Sequence, residues 1–256
     1  MDSRVSTIAR YTLIEALRTR LPLLVFAIML ALASAAFFVQ SIAITESARF
    51  QTGFYGATMR LAVVFVAALY VMVSMTREFN DKALDVLLSL DLPRSHYVLG
   101  KLAGFLAVGF LIAIFATLPV AWLAPPVNAA QWMISLALEL SIVVALALFC
   151  IVTFNQLVPA ACFVLAFYLL ARSLTAIRLI SAHPIEGADT PVQQAFQFLA
   201  DGLALVLPSL DAWTRTEWLV NEQAPWSLLL QLAGQSALYV VLLAAATMFD
   251  FCRKNF

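Results

Sequence analysis

Apolar residues in this chain gather into six long runs, and the polar residues collect between them. The runs cover about residues 21–44, 57–76, 102–124, 132–154, 157–174 and 226–249. Each approaches the roughly 20 residues that a helix needs to cross the hydrocarbon core of a bilayer. Arg172 cuts the uncharged part of the fifth run short, and Arg60 lies near one end of the second, within snorkelling reach of the interface. Two shorter stretches also carry a helical period. In residues 3–20, Ile8, Tyr11, Ile14 and Leu17 step by three ahead of Pro22, which predicts a helix lying along a membrane surface. In residues 192–208, Val192, Phe196, Leu199, Leu203 and Leu207 share one face, Gln194, Gln197 and Asp201 take the other, and Pro191 and Pro208 bracket the stretch. That pattern predicts a second surface helix, and the whole reads as an all-α membrane protein.

Composition agrees. Hydrophobic residues make up 63% of the 256 and charged residues 12%, half the share of a soluble domain. The cysteines Cys150, Cys162 and Cys252 form no CxxC pair and read as free thiols. Arg4, Arg10, Arg18 and Arg20 precede an apolar run containing Ala33-Ser34-Ala35, an outline shared with signal peptides, but the run continues through Phe37-Phe38-Val39 and reads as a retained span.

Placement of charge is more informative than its zero sum. With the N-terminus inside, the cytosolic segments hold ten Lys and Arg against five elsewhere, Arg49, Arg60, Arg172, Arg178 and Arg215. The positive-inside rule therefore predicts both termini in the cytoplasm. The helix over residues 3–20 then lies on the inner leaflet and that over 192–208 on the outer one.

Between the second and third runs lies a charged, helix-prone island, residues 77–101. On a 3.6-residue period Glu78, Asp81, Lys82, Asp85 and Ser89 fall within an arc of about 100°, while Phe79, Leu84, Val86, Leu87, Leu88 and Leu90 cover the rest. A helix so apolar needs a covering of headgroups, other helices or a partner protein. Pro93 ends it, and Gly100-Lys101 marks the return to the bilayer.

The order of this island (Arg-Glu-Phe, an acidic helix, Leu-Leu-Ser, Pro-Arg, Tyr-x-Leu-Gly-Lys) resembles the inner loop of ABC-2-type permeases, the membrane subunits of ATP-binding-cassette exporters. Glu78, Lys82, Leu87, Leu88, Pro93, Arg94, Tyr97, Gly100 and Lys101 carry the resemblance. It implies one transmembrane domain over residues 1–256, with an N-terminal elbow helix, six spans, a coupling helix between spans two and three, a second short inner turn at Asn155-Gln156, and external helices before span six. The layout is most similar to permeases linked to maturation of multicopper enzymes such as nitrous oxide reductase, although His96 and His183 stand apart and no Met-rich or Cys cluster accompanies them. The resemblance implies a bacterial inner-membrane subunit that moves substrate by alternating access. Its partners would be a separate ABC ATPase chain, contacted through Glu78, Asp81, Lys82, Asp85, Leu87, Leu88, Arg94, Asn155 and Gln156, and a second permease copy or a paralogue. ATP and Mg would sit on the ATPase. The sequence has no GxxxxGK[ST] to cradle phosphates, and neither a catalytic role nor a nucleic-acid partner is expected.

Three rivals stand beside this reading. An intramembrane protease or a haem oxidoreductase needs histidines inside the spans, where none lies. An ion-driven secondary transporter is expected to show matched broken helices, and Pro119 and Pro159 do not match. A membrane subunit of the same ABC class that transmits force without passing substrate shares every feature above.

Glu139 is the one carboxylate well inside a run. A mid-span acid costs on the order of 2.5–3.5 kcal/mol to insert. It reads as part of a solvated path, as half of an inter-helix ion pair, or as a protonated group hydrogen-bonded to a neighbour. On the first two readings Glu139→Gln keeps assembly and lowers transport-coupled ATPase activity. Gly100-x-x-x-Gly104 permits a close helix contact, with the dimer face as one candidate. Gln231 and Gln235 share a face suited to helix–helix hydrogen bonds, Asp250 reads as an anchor beside Arg253 and Lys254, and Trp122, Trp132, Trp213, Trp218 and Trp226 read as an aromatic belt.

Overall fold

Prolines begin several of the helices, as expected where the first N–H groups need no partner. The computed structural model describes residues 3–42, 47–81, 93–182, 191–214, 217–220 and 224–253. In order they form α1 (Ser3–Arg18), α2 (Leu21–Ile42), α3 (Ser47–Asn80), α4 (Arg94–Leu123), α5 (Pro126–Phe154), α6 (Leu157–Ala182), α7 (Pro191–Val206), a 3₁₀ turn (Leu210–Ala212), α8 (Glu217–Val220) and α9 (Trp226–Arg253). Among the described residues, six helices are long and apolar enough to cross a membrane: α2, α3, α4, α5, α6 and α9.

The middle of the bundle belongs to α5. Of its apolar window 72% is buried, against 11% for α2, and it packs on α3, α4, α6 and α9. Its inner sequence, Ile142 to Leu148, is buried all round because neighbours surround it.

Spans differ from the hydropathy reading at their ends. Helix α3 starts at Ser47 rather than 57, and α4 starts at Arg94 rather than 102. The cause is polar residues that the bundle covers: Gln51, Thr52 and Lys101 are buried between helices instead of marking a membrane boundary. The coupling helix expected over 78–90 lies mostly outside the described residues; α3 itself continues through Glu78 to Asn80.

Helix α1 packs differently from its predicted stripe. Tyr11 is 69% exposed, and the buried face carries Val5, Thr12 and Ala16 instead. This face lies on α4 at two glycines. A Cβ at Gly100 would stand 2.7 Å from Ile8 Cβ, and one at Gly104 would stand 2.6 Å from Thr12 Cβ. A step of four on α4 meets a step of four on α1, so the two helices run in the same direction here. Small residues let the backbones approach, as in membrane-helix pairs generally. The Gly100/Gly104 face is thus occupied by this chain's own first helix rather than left open to a second copy.

Two further expectations change. Trp122 and Trp226 are exposed, as belt residues would be, but Trp132, Trp213 and Trp218 are buried inside the bundle. Gln231 and Gln235 both face outward from α9 and, among the described residues, do not join it to another helix.

Candidate functional site

The bundle holds polar chemistry at two levels, joined by α3. At the α1 end, Glu78 in the last turn of α3 accepts hydrogen bonds from the Tyr97 hydroxyl and from Lys101 Nζ, both on α4. Lys101 also lies 4.0 Å from Glu15 of α1, whose carboxylate accepts a 3.5 Å hydrogen bond from Ser74. The Tyr97 ring stacks on Phe251 of α9 at 5.6 Å, and Arg94 donates to the Cys252 carbonyl at 3.3 Å. Four helix ends, from α1, α3, α4 and α9, are knotted by one small cluster. Lys101 is nearly fully buried, so two carboxylates offset the cost of desolvating it.

The Asn155-Gln156 turn sits at this same end. Thr153, just before it, donates to Asp250 Oδ2 at 2.6 Å, and Asp250 lies half a turn from Cys252. Asp250 therefore ties α9 to α5 and is more than an anchor. Asn155 closes α5 in the left-handed region (φ 55°), where an Asn is tolerated, and its N–H reaches the Ile151 carbonyl.

Of the residues expected to face a partner, Glu78 is turned into the knot, Asp81 is exposed just past α3, Arg94 opens α4, and Asn155 and Gln156 are exposed. Lys82, Asp85, Leu87 and Leu88 lie outside the described residues.

At the second level, Arg60 of α3 meets Glu139 of α5. The Arg60 Nη1 donates to Glu139 Oε2 and to the Trp213 carbonyl, both at 2.8 Å. Nη2 donates to Ser135 Oγ at 2.8 Å and to the Trp132 carbonyl at 3.4 Å, and the guanidinium stands 5.2 Å from the centre of the Trp132 ring. Glu139 Oε1 accepts from Tyr168 Oη of α6 at 2.8 Å, and that oxygen in turn accepts from Arg172 at 2.9 Å. Arg60 and Glu139 are at most 1% exposed. Arg60 does not snorkel; it is half of a buried ion pair, the second of the three readings of Glu139. By the helical rise, Glu139 stands roughly 22 Å from the α1 end of α5 and Arg60 roughly 30 Å from that of α3, distances a bilayer with its headgroup layers spans.

The segment after α7 closes over this pair. Asn128 donates to the Trp218 carbonyl at 2.8 Å, Gln131 exchanges two hydrogen bonds with the Ala224 backbone, and Trp213 Nε1 donates to Ser236 of α9 at 2.9 Å. The amides of α5 thereby satisfy backbone groups of α8 and of the chain just before α9, as burial requires.

Sequence reasoning singled out Glu139 but missed its partner. The signal was available: Arg60 and Glu139 have opposite signs and similar depths in the second and fourth runs. Tyr97 and Lys101 were noted as part of a pattern, without the contact to Glu78 that explains them. No protein-family model matches this chain, and comparison with curated proteins gives no match.

Proposed function

We propose that this chain is the membrane subunit of an ATP-driven exporter, with the α1 end in the cytoplasm and the ATPase on a separate chain that binds ATP and Mg. The observation that carries this reading is the knot at Glu78. The segment between α3 and α4 leaves from a point where α1, α3, α4 and α9 are bound together. A push there is delivered to four helices at once, which is what a subunit without its own motor requires. The exposed Asn155-Gln156 turn provides a second contact at the same end, and through Thr153 and Asp250 it is linked to α9. In this reading Leu87 and Leu88 face the ATPase, and two copies of the chain, or this chain and a paralogue, enclose the path.

The test is purification from native membranes under mild detergent. An ATPase subunit should come down with the chain, and Leu87→Asp should release it while leaving the chain folded. Purification without any ATPase, with transport that needs an ion gradient and ignores ATP, would reject the exporter in favour of a secondary transporter.

A further inference from the structure

A cleft of about 300 Å³ opens between α2 and α3 at the α1 end. Its walls include Leu24, Val66, Leu69 and Val73, and the first, third and fourth of these are two-fifths or more exposed, so the cleft faces the surroundings of the bundle. Its mouth is built differently. Arg20, in the break between α1 and α2, and Arg77, in the last turn of α3, are both exposed, and no carboxylate among the described residues lies within ion-pair distance of either. Glu15 also borders the mouth, but Lys101 and Ser74 engage it. About two turns deeper than Arg77, the hydroxyl of Tyr70 is buried and has no hydrogen-bond partner among the described residues. A buried hydroxyl without a partner costs free energy and calls for an acceptor.

These features run in a fixed order: two cations at the rim, an unsatisfied donor below them, and an apolar channel open to the side. We propose that the cleft holds one anionic phospholipid, its phosphate on Arg20 and Arg77, an ester carbonyl on Tyr70, and an acyl chain along Leu24 and Leu69. Two arginines and a lone donor match a phosphate and an ester, and basic pockets between membrane helices at the headgroup level recognise such lipids. The proposal rests on the six helices lying in a bilayer and is independent of the exporter reading.

The test is native mass spectrometry of the purified full chain with phosphatidylglycerol or phosphatidylcholine of identical acyl chains. The wild type should retain one phosphatidylglycerol with a preference on the order of 10-fold. Arg20→Gln/Arg77→Gln should abolish the preference, and Arg4→Gln/Arg10→Gln, an equal loss of charge, should leave it. Tyr70→Phe keeps the ring and its edge contact with Phe105, so it should fold normally and weaken both lipids by a few fold. Equal retention of the two lipids by the wild type, a preference that survives the Arg20/Arg77 change, or equally tight binding of free glycerol phosphate would overturn the site. ATPase co-purification is unaffected by any of these results, so the two proposals fail separately.

Discussion

Arg60 and Glu78 stand about five turns apart on α3, on the same face by the helical period, and each is bound to other helices: Arg60 to α5 through Glu139, Glu78 to α4 through Tyr97 and Lys101. One continuous helix therefore connects the knot at the α1 end with the buried ion pair roughly 27 Å away. A rigid shift of α3 along its axis would carry both Glu78 and Arg60, and with Arg60 the contact to Glu139.

The ion pair sets a clear expectation for stability. Glu139→Gln, or Arg60→Met, strands the opposite charge in a buried site and should cost about 3–5 kcal/mol. Replacing both, as Arg60→Met/Glu139→Leu, should recover most of that loss. Thermal unfolding in detergent measures it; additive losses in the double variant would show that the pair does not act as a unit. This changes the simple expectation for Glu139→Gln, which now perturbs folding as well as any transport activity.

At the knot, Lys101→Met leaves Glu15 and Glu78 facing each other without a cation. A loss of about 3 kcal/mol or more is expected, partly restored by adding Glu78→Gln. Tyr97→Phe, which keeps the stack on Phe251, should cost only about 1–2 kcal/mol. Equal losses for Lys101→Met and Tyr97→Phe would mean that the charge balance is unimportant.

The glycines of α4 offer an internal control. Gly104→Ala would push a methyl against the Cβ of Thr12, which is fixed to its backbone, and should loosen α1 from α4. Gly109→Ala meets only ordinary contacts at 3.6 Å and 3.7 Å and should be neutral or mildly stabilising. Protease sensitivity of the α1–α2 junction, around Arg18 and Arg20, should rise in the first variant alone.

The turn between α5 and α6 gives a local test. Asn155→Gly suits the left-handed backbone and should leave the melting temperature nearly unchanged, while Asn155→Val should cost roughly 1–2 kcal/mol. A valine variant as stable as the wild type would place that turn in a different conformation.

Much of the architecture was legible in the chain. The six spans, the two-residue turn at Asn155-Gln156, and helices over 3–18 and 191–206 follow from runs and periods of neighbouring residues, which are local properties. Even there, the face of α1 was misread. Large apolar residues such as Tyr11 suggested the buried side, yet close packing on α4 selected the small one, because two glycines accept Thr12 and Ile8 and would not accept a bulky ring.

What the sequence by itself determined is which segments can live in a bilayer and which charges had to be accounted for: a helix satisfies its own backbone, so its length and apolarity suffice to place it. Which partner each stranded polar group found was decided only by the tertiary structure. Glu139 required a neighbour, but that it is Arg60, with Tyr168 behind it, depends on how α3, α5 and α6 pack. Likewise Trp132 and Trp213 went inside rather than to a belt because the segment after α7 folds over the end of α5. In a medium that supplies no hydrogen bonds, a polar side chain is satisfied across helices, and such contacts join residues too distant in the chain for any local pattern to record.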